Sequence, residues 1–237
     1  AGVSGDMLLC SLVNIGANRS KIIDGISNAE RFCKGVKVKN IDFVEVKKNS
    51  LQATELLLEV DDDTRERKGI EMKEIIEKSI EKLQISEKAK TFAIKTIETL
   101  IRAESKIHGE PEDSVYFHEA ASFDTIVDIL GTAIALDDLS CFDDVIIATP
   151  VAVGGGTVTF SHGVSSNPAY AILEIFRESG IITVGGNVKD ELTTPTGASI
   201  LVNLATECSE FYPPMKIQSV GYGAGKKDFE QFSNVLK

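Results

Sequence analysis

The segment FDTIVDILGTAIALDDL, residues 123–139, limits the possible folds more than any other stretch of the chain. On a helical wheel Phe123, Ile126, Val127, Leu130 and Ile134 fill one face, while Asp124 and Asp128 share another with Gly131 and Ala135. The second face is small, not solvated. A helix of this kind is packed all round, so other elements must cover it on both sides. Its two carboxylates are then buried unless they meet a cation, a ligand or a basic partner.

The surrounding chain can supply that cover. Ser4 or Asp6 can cap a helix over MLLCSLVNIG that stops at Gly16, and Ser20 opens a second near IIDGISNAERF. VKVKNIDFVEVKK and ATELLLEV alternate apolar and polar residues as half-buried antiparallel strands do. Helices are expected from Ile70 to Leu83 and from Ser86 to His108, and the apolar stripe of the second runs on by fours from Leu100 to Glu104 and His108. Beyond the helix from Ser122 to Leu139, DDVIIATPVAV reads as one apolar strand, GGG as a turn and TVTFSHG as a second strand. Pro168 to Glu178 and Pro195 to Glu207 read as helices, and MKIQSVGYGAG as a last strand entering a loop. The fold class is therefore mixed α/β (α+β), with sheet regions covered by helices. At 237 residues the chain suits one large domain or two subdomains, here divided at 1–110 and 111–237.

Charge and composition exclude several functions. Against 25 Lys+Arg stand 36 Asp+Glu, a net charge of −11 that repels nucleic-acid backbones and anionic lipid. The longest apolar runs, VIIATPVAV and ASILVNLA, are far shorter than the ~20 residues of a membrane span, and no signal peptide is recognisable. A cytoplasmic protein is expected, with no nucleic-acid or membrane partner. Cys10, Cys33, Cys141 and Cys208 are too scattered for a metal knuckle or a redox pair and read as reduced core residues. The chain begins at Ala1-Gly2 and runs straight into a helix start, so a strand is expected to precede it.

Chemistry concentrates at five places. His118 and Glu119 stand just before the helix that carries Asp124 and Asp128, a nitrogen and oxygen set that borderline and hard divalent ions accept. Capping and neighbouring amides could satisfy the same acids instead. GVSGDM brackets a helix start, where Ser4, Gly5 and their amides can hold oxygens and Asp6 a cation, or where they simply cap. In ELTTPTGAS, Thr194 and Thr196 flank Pro195 at a first helical turn, and Gly197 lets a ligand approach the backbone. GYGAGKKD ends in Lys226 and Lys227, a local cationic exception that can close on a phosphate but lacks the P-loop spacing. GGGTVTFSHG carries Gly154, Gly155 and Gly156, and His162 as a further ligand candidate. Gly-x-Ser-x-Gly, Rossmann and zinc-knuckle patterns are absent, which removes nucleophilic hydrolysis and nicotinamide chemistry.

GVSGDM, RAESKIHG, FHEAASFDTIVDI, PVAVGGGTV with SHG, ELTTPTGAS and GYGAGKKDF occur in the order and spacing of the LarC family of nickel insertion proteins, which the chain resembles over essentially its whole length. The resemblance implies a nickel chelatase of the lyase class that inserts nickel into a pyridinium bis-thiocarboxylate mononucleotide. CTP is the implied activating nucleotide, with magnesium or manganese assisting. It also implies His118, Glu119, Asp124 and Asp128 as catalytic groups and His118, Glu119, His162 and Asp6 as metal contacts. Ser4, Gly5, Asp6, Gly154, Gly155, Thr194, Thr196, Gly197 and Lys226 are the implied substrate contacts. The family tends to have His at Tyr116, Gly at Ala121, and Pro at Ser166 and Tyr170. Its longer members continue past NVLK into a further domain linked to CTP, so a further domain or subunit is an expected partner and the CTP site is expected there. A homo-oligomer is left open. Two other classes fit the same residues: a non-catalytic nickel carrier, and a divalent-metal phosphohydrolase or nucleotidyltransferase.

Overall fold

The computed structural model describes residues 2–64, 66–118, 120–160, 163–230 and 232–237. The first half runs α1 (Gly5–Ile15), α2 (Arg19–Glu30), β1 (Val36–Lys48), β2 (Leu51–Asp62), β3 (Arg67–Lys68), α3 (Gly69–Ile80) and α4 (Glu87–His108). The second runs β4 (Tyr116–Phe117), α5 (Phe123–Asp138), β5 (Ile147–Ala148), β6 (Val151–Ala152), β7 (Thr157–Phe160) and β8 (Gly163–Ser166). It ends with α6 (Tyr170–Phe176), β9 (Thr183–Val184), α7 (Pro195–Leu204), β10 (Glu207–Cys208), β11 (Gly223–Ala224) and β12 (Val235–Leu236). The mixed α/β class is as the sequence indicates.

α5 sits at the centre, packed against α1, α2, α3, α4 and α7. Its small face admits α1, and a glycine of α2 admits the apolar face. A β-carbon on Gly131 would come within 2.7 Å of Leu9, and one on Gly25 of α2 within 2.3 Å of Ile134. The apolar cluster built on this helix extends from Val3 to Ile200 and draws on both halves of the chain.

β1 and β2 form a long antiparallel hairpin closed by Asn49 and Ser50, both at positive φ, with Lys48 opposite Leu51. Two such residues form the tight turn whose twist matches that of the strands. β2 continues the sheet into β11 by parallel pairing of Thr54 with Gly223, and β12 pairs antiparallel with β11, giving the order β1-β2-β11-β12.

Three expectations need correction. α2 starts earlier than Ser20, because Asn18 takes the N-cap position and accepts from the Lys21 N–H. DDVIIATPVAV is not one strand: β5 pairs parallel with β10 and β6 with β9, and the two are separated at Thr149-Pro150, where proline offers no N–H to a ladder. MKIQSVGYGAG is not a strand until Gly223, because the chain there runs against α1. A β-carbon on Gly221 would meet the Ser11 carbonyl oxygen at 2.2 Å, and one on Gly223 that of Met7 at 1.9 Å. Cys10 and Cys33 are buried, Cys141 and Cys208 half-buried, and all four are free thiols. Among the described residues no helix is long and apolar enough to cross a membrane.

Candidate functional site

The first turn of α1 meets the start of α7 through Thr193, a residue to which the sequence reading gave no role. The Thr193 hydroxyl accepts from the Val3 N–H at 3.1 Å and donates to the Ala152 carbonyl at 2.8 Å, while the Thr194 N–H donates to the Val3 carbonyl at 3.0 Å. Thr193 is fully buried, so these bonds form away from competing water. Gly197 is required at this junction: a β-carbon there would lie 2.4 Å from the Val3 carbonyl oxygen and 2.6 Å from the Ser4 α-carbon. GVSGDM and TTPTG, nearly two hundred residues apart, therefore lie side by side.

α5 enters from a third direction. Gly5 is the residue of α1 that admits it, since a β-carbon at Gly5 would collide with the Asp128 side chain. The loop of β11 supplies a fourth wall, where the α-carbon of Gly225 packs close to the side-chain ends of Asn234 and Met7. These segments enclose a cleft of about 300 Å³, at the small end of the range for ligand pockets. Ser4, Asp6, Asp124, Asp128, Thr194, Thr196 and Lys226 all line it. Gly5 and Gly197 set the close approaches behind its wall.

Most of the polar groups in the cleft are matched. Asp6 accepts from the Ser4 hydroxyl and, at 2.8 Å, from the Met7 N–H, so Ser4 stands at the N-cap position without using its own side chain to cap the helix. Thr194 does cap α7, accepting from the Gly197 N–H at 3.1 Å. Lys226 Nζ is 3.1 Å from Asp124 Oδ2, and Lys227 Nζ is 2.7 Å from Asp190 Oδ1. Burial opposes the charge of Lys226, but Asp124, Asp6 and Asp128 outweigh it and hold the ammonium above its ordinary pKa.

Asp128 differs. Its side chain is half-buried, lines the cleft, and accepts no hydrogen bond from the described residues. Burial, then the charges of Asp6 and Asp124, push it well above the usual carboxylate range, with Lys226 pulling less strongly the other way. Glu191, another lining residue, is raised for the same first reason, burial. Glu191 was missed as a site residue although it opens the ELTTPTGAS motif. Leu56 and Leu58 of β2 were read only as strand residues, and with Met7 they give the cleft an apolar wall.

Other candidates lie elsewhere. Gly154 and Gly155 do not line the cleft; they support its rim. Gly154, at φ +90°, bridges to Glu191, and a β-carbon there would meet the Asp190 carbonyl oxygen at 1.9 Å. His118 is also outside the lining, with Nδ1 3.7 Å from Glu66 Oε2 and its ring edge-on to that of His108 at 5.8 Å between centroids. His108 in turn lies 3.3 Å from Glu104, the two polar groups that continue the buried stripe of α4. Glu119 and His162 are outside the described residues. Among the described residues no three His, Cys, Asp or Glu side chains are gathered to hold a metal ion.

The family model described as "Nickel insertion protein" matches residues 1–237. The chain is similar to the pyridinium-3,5-bisthiocarboxylic acid mononucleotide nickel insertion protein of Staphylococcus saprophyticus, 33% identical over 239 residues that take in 100% of this chain and 57% of that protein. It is 34% identical to the protein of the same name from Acetivibrio thermocellus, over 240 residues covering 98% of this chain and 56% of the relative. The Staphylococcus epidermidis counterpart is 34% identical over 239 residues, again 56% of its length. The chain thus spans a little over half the length of these relatives. No solved structure matches it. A whole-chain match of this kind, with the six motifs in order and four of their segments folded into one cleft, makes the chain a member of the nickel insertion protein family.

Proposed function

We propose that this chain forms the part of a nickel chelatase that seats a pyridinium bis-thiocarboxylate mononucleotide while nickel, the second substrate, is inserted between the two sulfur-bearing groups. The observation that carries this reading is the convergence of GVSGDM, Asp124 and Asp128, TTPTG and GAGKK on one cleft lined by both lysines and carboxylates. Lys226, Lys227 and the Thr196 hydroxyl at the start of α7 are the anion contacts, suited to a phosphate by charge and by the helix N-terminus.

Nickel handling falls to the imidazole side. His118 and Glu119 take the metal, with His162 as a further ligand, because imidazole and carboxylate together suit nickel. Asp6, Asp124 and Asp128 are their acidic support. CTP and its assisting magnesium or manganese are assigned to the region of the longer relatives beyond the matched part, and the protein is assigned to the cytoplasm.

The test uses the full-length protein with CTP, nickel and the thiocarboxylated pyridinium nucleotide, following the product by absorbance and mass. A nickel-containing nucleotide, with His118→Ala greatly slowed, supports the assignment. Stoichiometric nickel binding without turnover makes the protein a carrier, and hydrolysis of simple nucleotides independent of nickel makes it a phosphohydrolase. Equal product from His118→Ala removes that histidine from the reaction.

A further inference from the structure

The loop of residues 118–122 joins two regions that nickel insertion has to bring into register. His118, its first residue, lies outside the cleft lining, whereas Ala120 and Ser122 line the cleft and Phe123 opens α5. Where His118 stands relative to the cleft therefore depends on how the ends of this short loop are held.

Arg67 holds both ends. Its backbone pairs with Phe117 in the β3–β4 ladder, beside which the Gly69 N–H donates to the Val115 carbonyl at 2.9 Å, and this fixes the chain just before His118. Its guanidinium donates to the Ala121 carbonyl at the other end and, at 2.6 and 2.9 Å, to the two carboxylate oxygens of Asp62. Asp62 in turn accepts from the Phe123 N–H at 3.3 Å, so the pair also grips the first residue of α5. Arg67, Phe117, Ala121 and Phe123 are all buried. Glu66, the neighbour of Arg67, is the residue whose Oε2 lies 3.7 Å from His118 Nδ1.

Stability alone is a poor reason for such a pair. Apolar residues of similar volume often do as well as a buried ion pair, whose charges must first be stripped of water. What the pair adds is geometry: a flat guanidinium fork reaches two acceptors in fixed directions, which an ammonium on a flexible stem does not reproduce. Asp62 lies on β2, the strand that also carries Leu56 and Leu58 into the cleft wall. The clamp thus ties the loop to the same frame as the cleft.

We propose that Arg67 is a positioning residue for nickel handling, clamping both ends of loop 118–122 and so setting His118 at a fixed place relative to the cleft. This rests on the reading of His118 as a nickel contact. Arg67 does not itself line the cleft.

The test titrates the full-length protein by calorimetry with nickel alone and, separately, with the thiocarboxylated pyridinium nucleotide alone, at a temperature where the variants compared are folded. Arg67→Lys keeps a charge beside Asp62 and gives up the fork. Its nickel affinity is expected to fall about tenfold, the usual scale for altering a group behind a metal contact, with nucleotide affinity unchanged. Asp62→Asn breaks the pair from the other side and is expected to give the same split. Ile76→Val, a fully buried substitution in α3, loses stability and leaves both affinities as they were. Nickel and nucleotide affinities that fall alike in Arg67→Lys and Asp62→Asn, or that do not change, overturn the proposal. Failure of both variants to fold makes the pair a structural element only and overturns it too. Nickel binding lost in His118→Ala but kept in Arg67→Lys overturns the clamp alone, whereas nickel binding kept in His118→Ala overturns the reading of that histidine and the clamp with it.

Discussion

Gly5 of α1 and Asp128 of α5 lie against each other so closely that a β-carbon at Gly5 would come within 2.3 Å of Asp128 Oδ2 and 2.5 Å of its β-carbon. Helix contact and cleft floor are thus one feature. Gly5→Ala forces either the helices apart or the carboxyl out of place, and overpacking of this kind costs about 1–3 kcal/mol. Denaturant unfolding should show that loss, and the variant should bind a pyridinium mononucleotide more weakly than its residual stability accounts for. Unchanged stability and affinity would show that α1 and α5 do not meet here.

Asp128→Asn should make the protein more stable at neutral pH. An acid whose pKa is higher in the folded than in the unfolded state binds its proton more tightly when folded. Below the ordinary carboxylate range both states are protonated and nothing is lost. As pH rises through that range the unfolded chain ionises first, and stability declines toward the raised value. The variant lacks this decline. Thermal unfolding should give an advantage of roughly 0.5–2 kcal/mol at pH 7–8, as is common where a functional site is kept at the expense of stability, shrinking to none near pH 4.

Arg67 holds the approach to α5. It is 5% exposed, donates to both Asp62 oxygens at 2.6 and 2.9 Å and also to the Ala121 carbonyl, while Asp62 accepts from the Phe123 N–H at 3.3 Å. Burial alone would raise the Asp62 pKa, but Arg67 and the backbone N–H groups hold it below the usual range. Arg67→Ala leaves a carboxylate without its cation and should cost about 3–5 kcal/mol. The lowered pKa of Asp62 contributes stability above the ordinary carboxylate range that disappears as pH falls through the folded value. Acid titration of the unfolding free energy should show a weaker dependence in the variant.

Lys227→Ala removes one of the two rim cations. A charge-assisted hydrogen bond contributes about 1.5–3 kcal/mol, so affinity for a nucleotide 5′-phosphate should fall on the order of tenfold or more. The same titration at raised salt should show a smaller difference between variant and unaltered protein, because part of the attraction is screened. A salt-independent loss would point to damage at the Asp190 rim instead.

Local chemistry made much of the chain legible. The stripe of α4, the helix starts near Ser86 and Ser122 and the hairpin strands all follow from nearest-neighbour spacing, and the mixed α/β class follows from their order. The two-faced pattern of residues 123–139 also indicated that α5 would be covered on both sides. Boundaries moved where a distant segment intervened. MKIQSVGYGAG reads as a strand entering a loop, but α1 lies against it and Gly223 pairs with Thr54 for only a short stretch.

The amino-acid sequence by itself determined which segments carry glycine hinges, hydroxyls, acids and lysines, because those properties belong to each residue and its near neighbours. Only the tertiary structure decided that Thr193 ties the first motif to the α7 start, that Lys226 meets Asp124 and Lys227 meets Asp190, and that Asp128 is left without a donor at the floor. The reason is physical: these contacts join groups 37 to 190 residues apart along the chain, and burial sets how much each one matters.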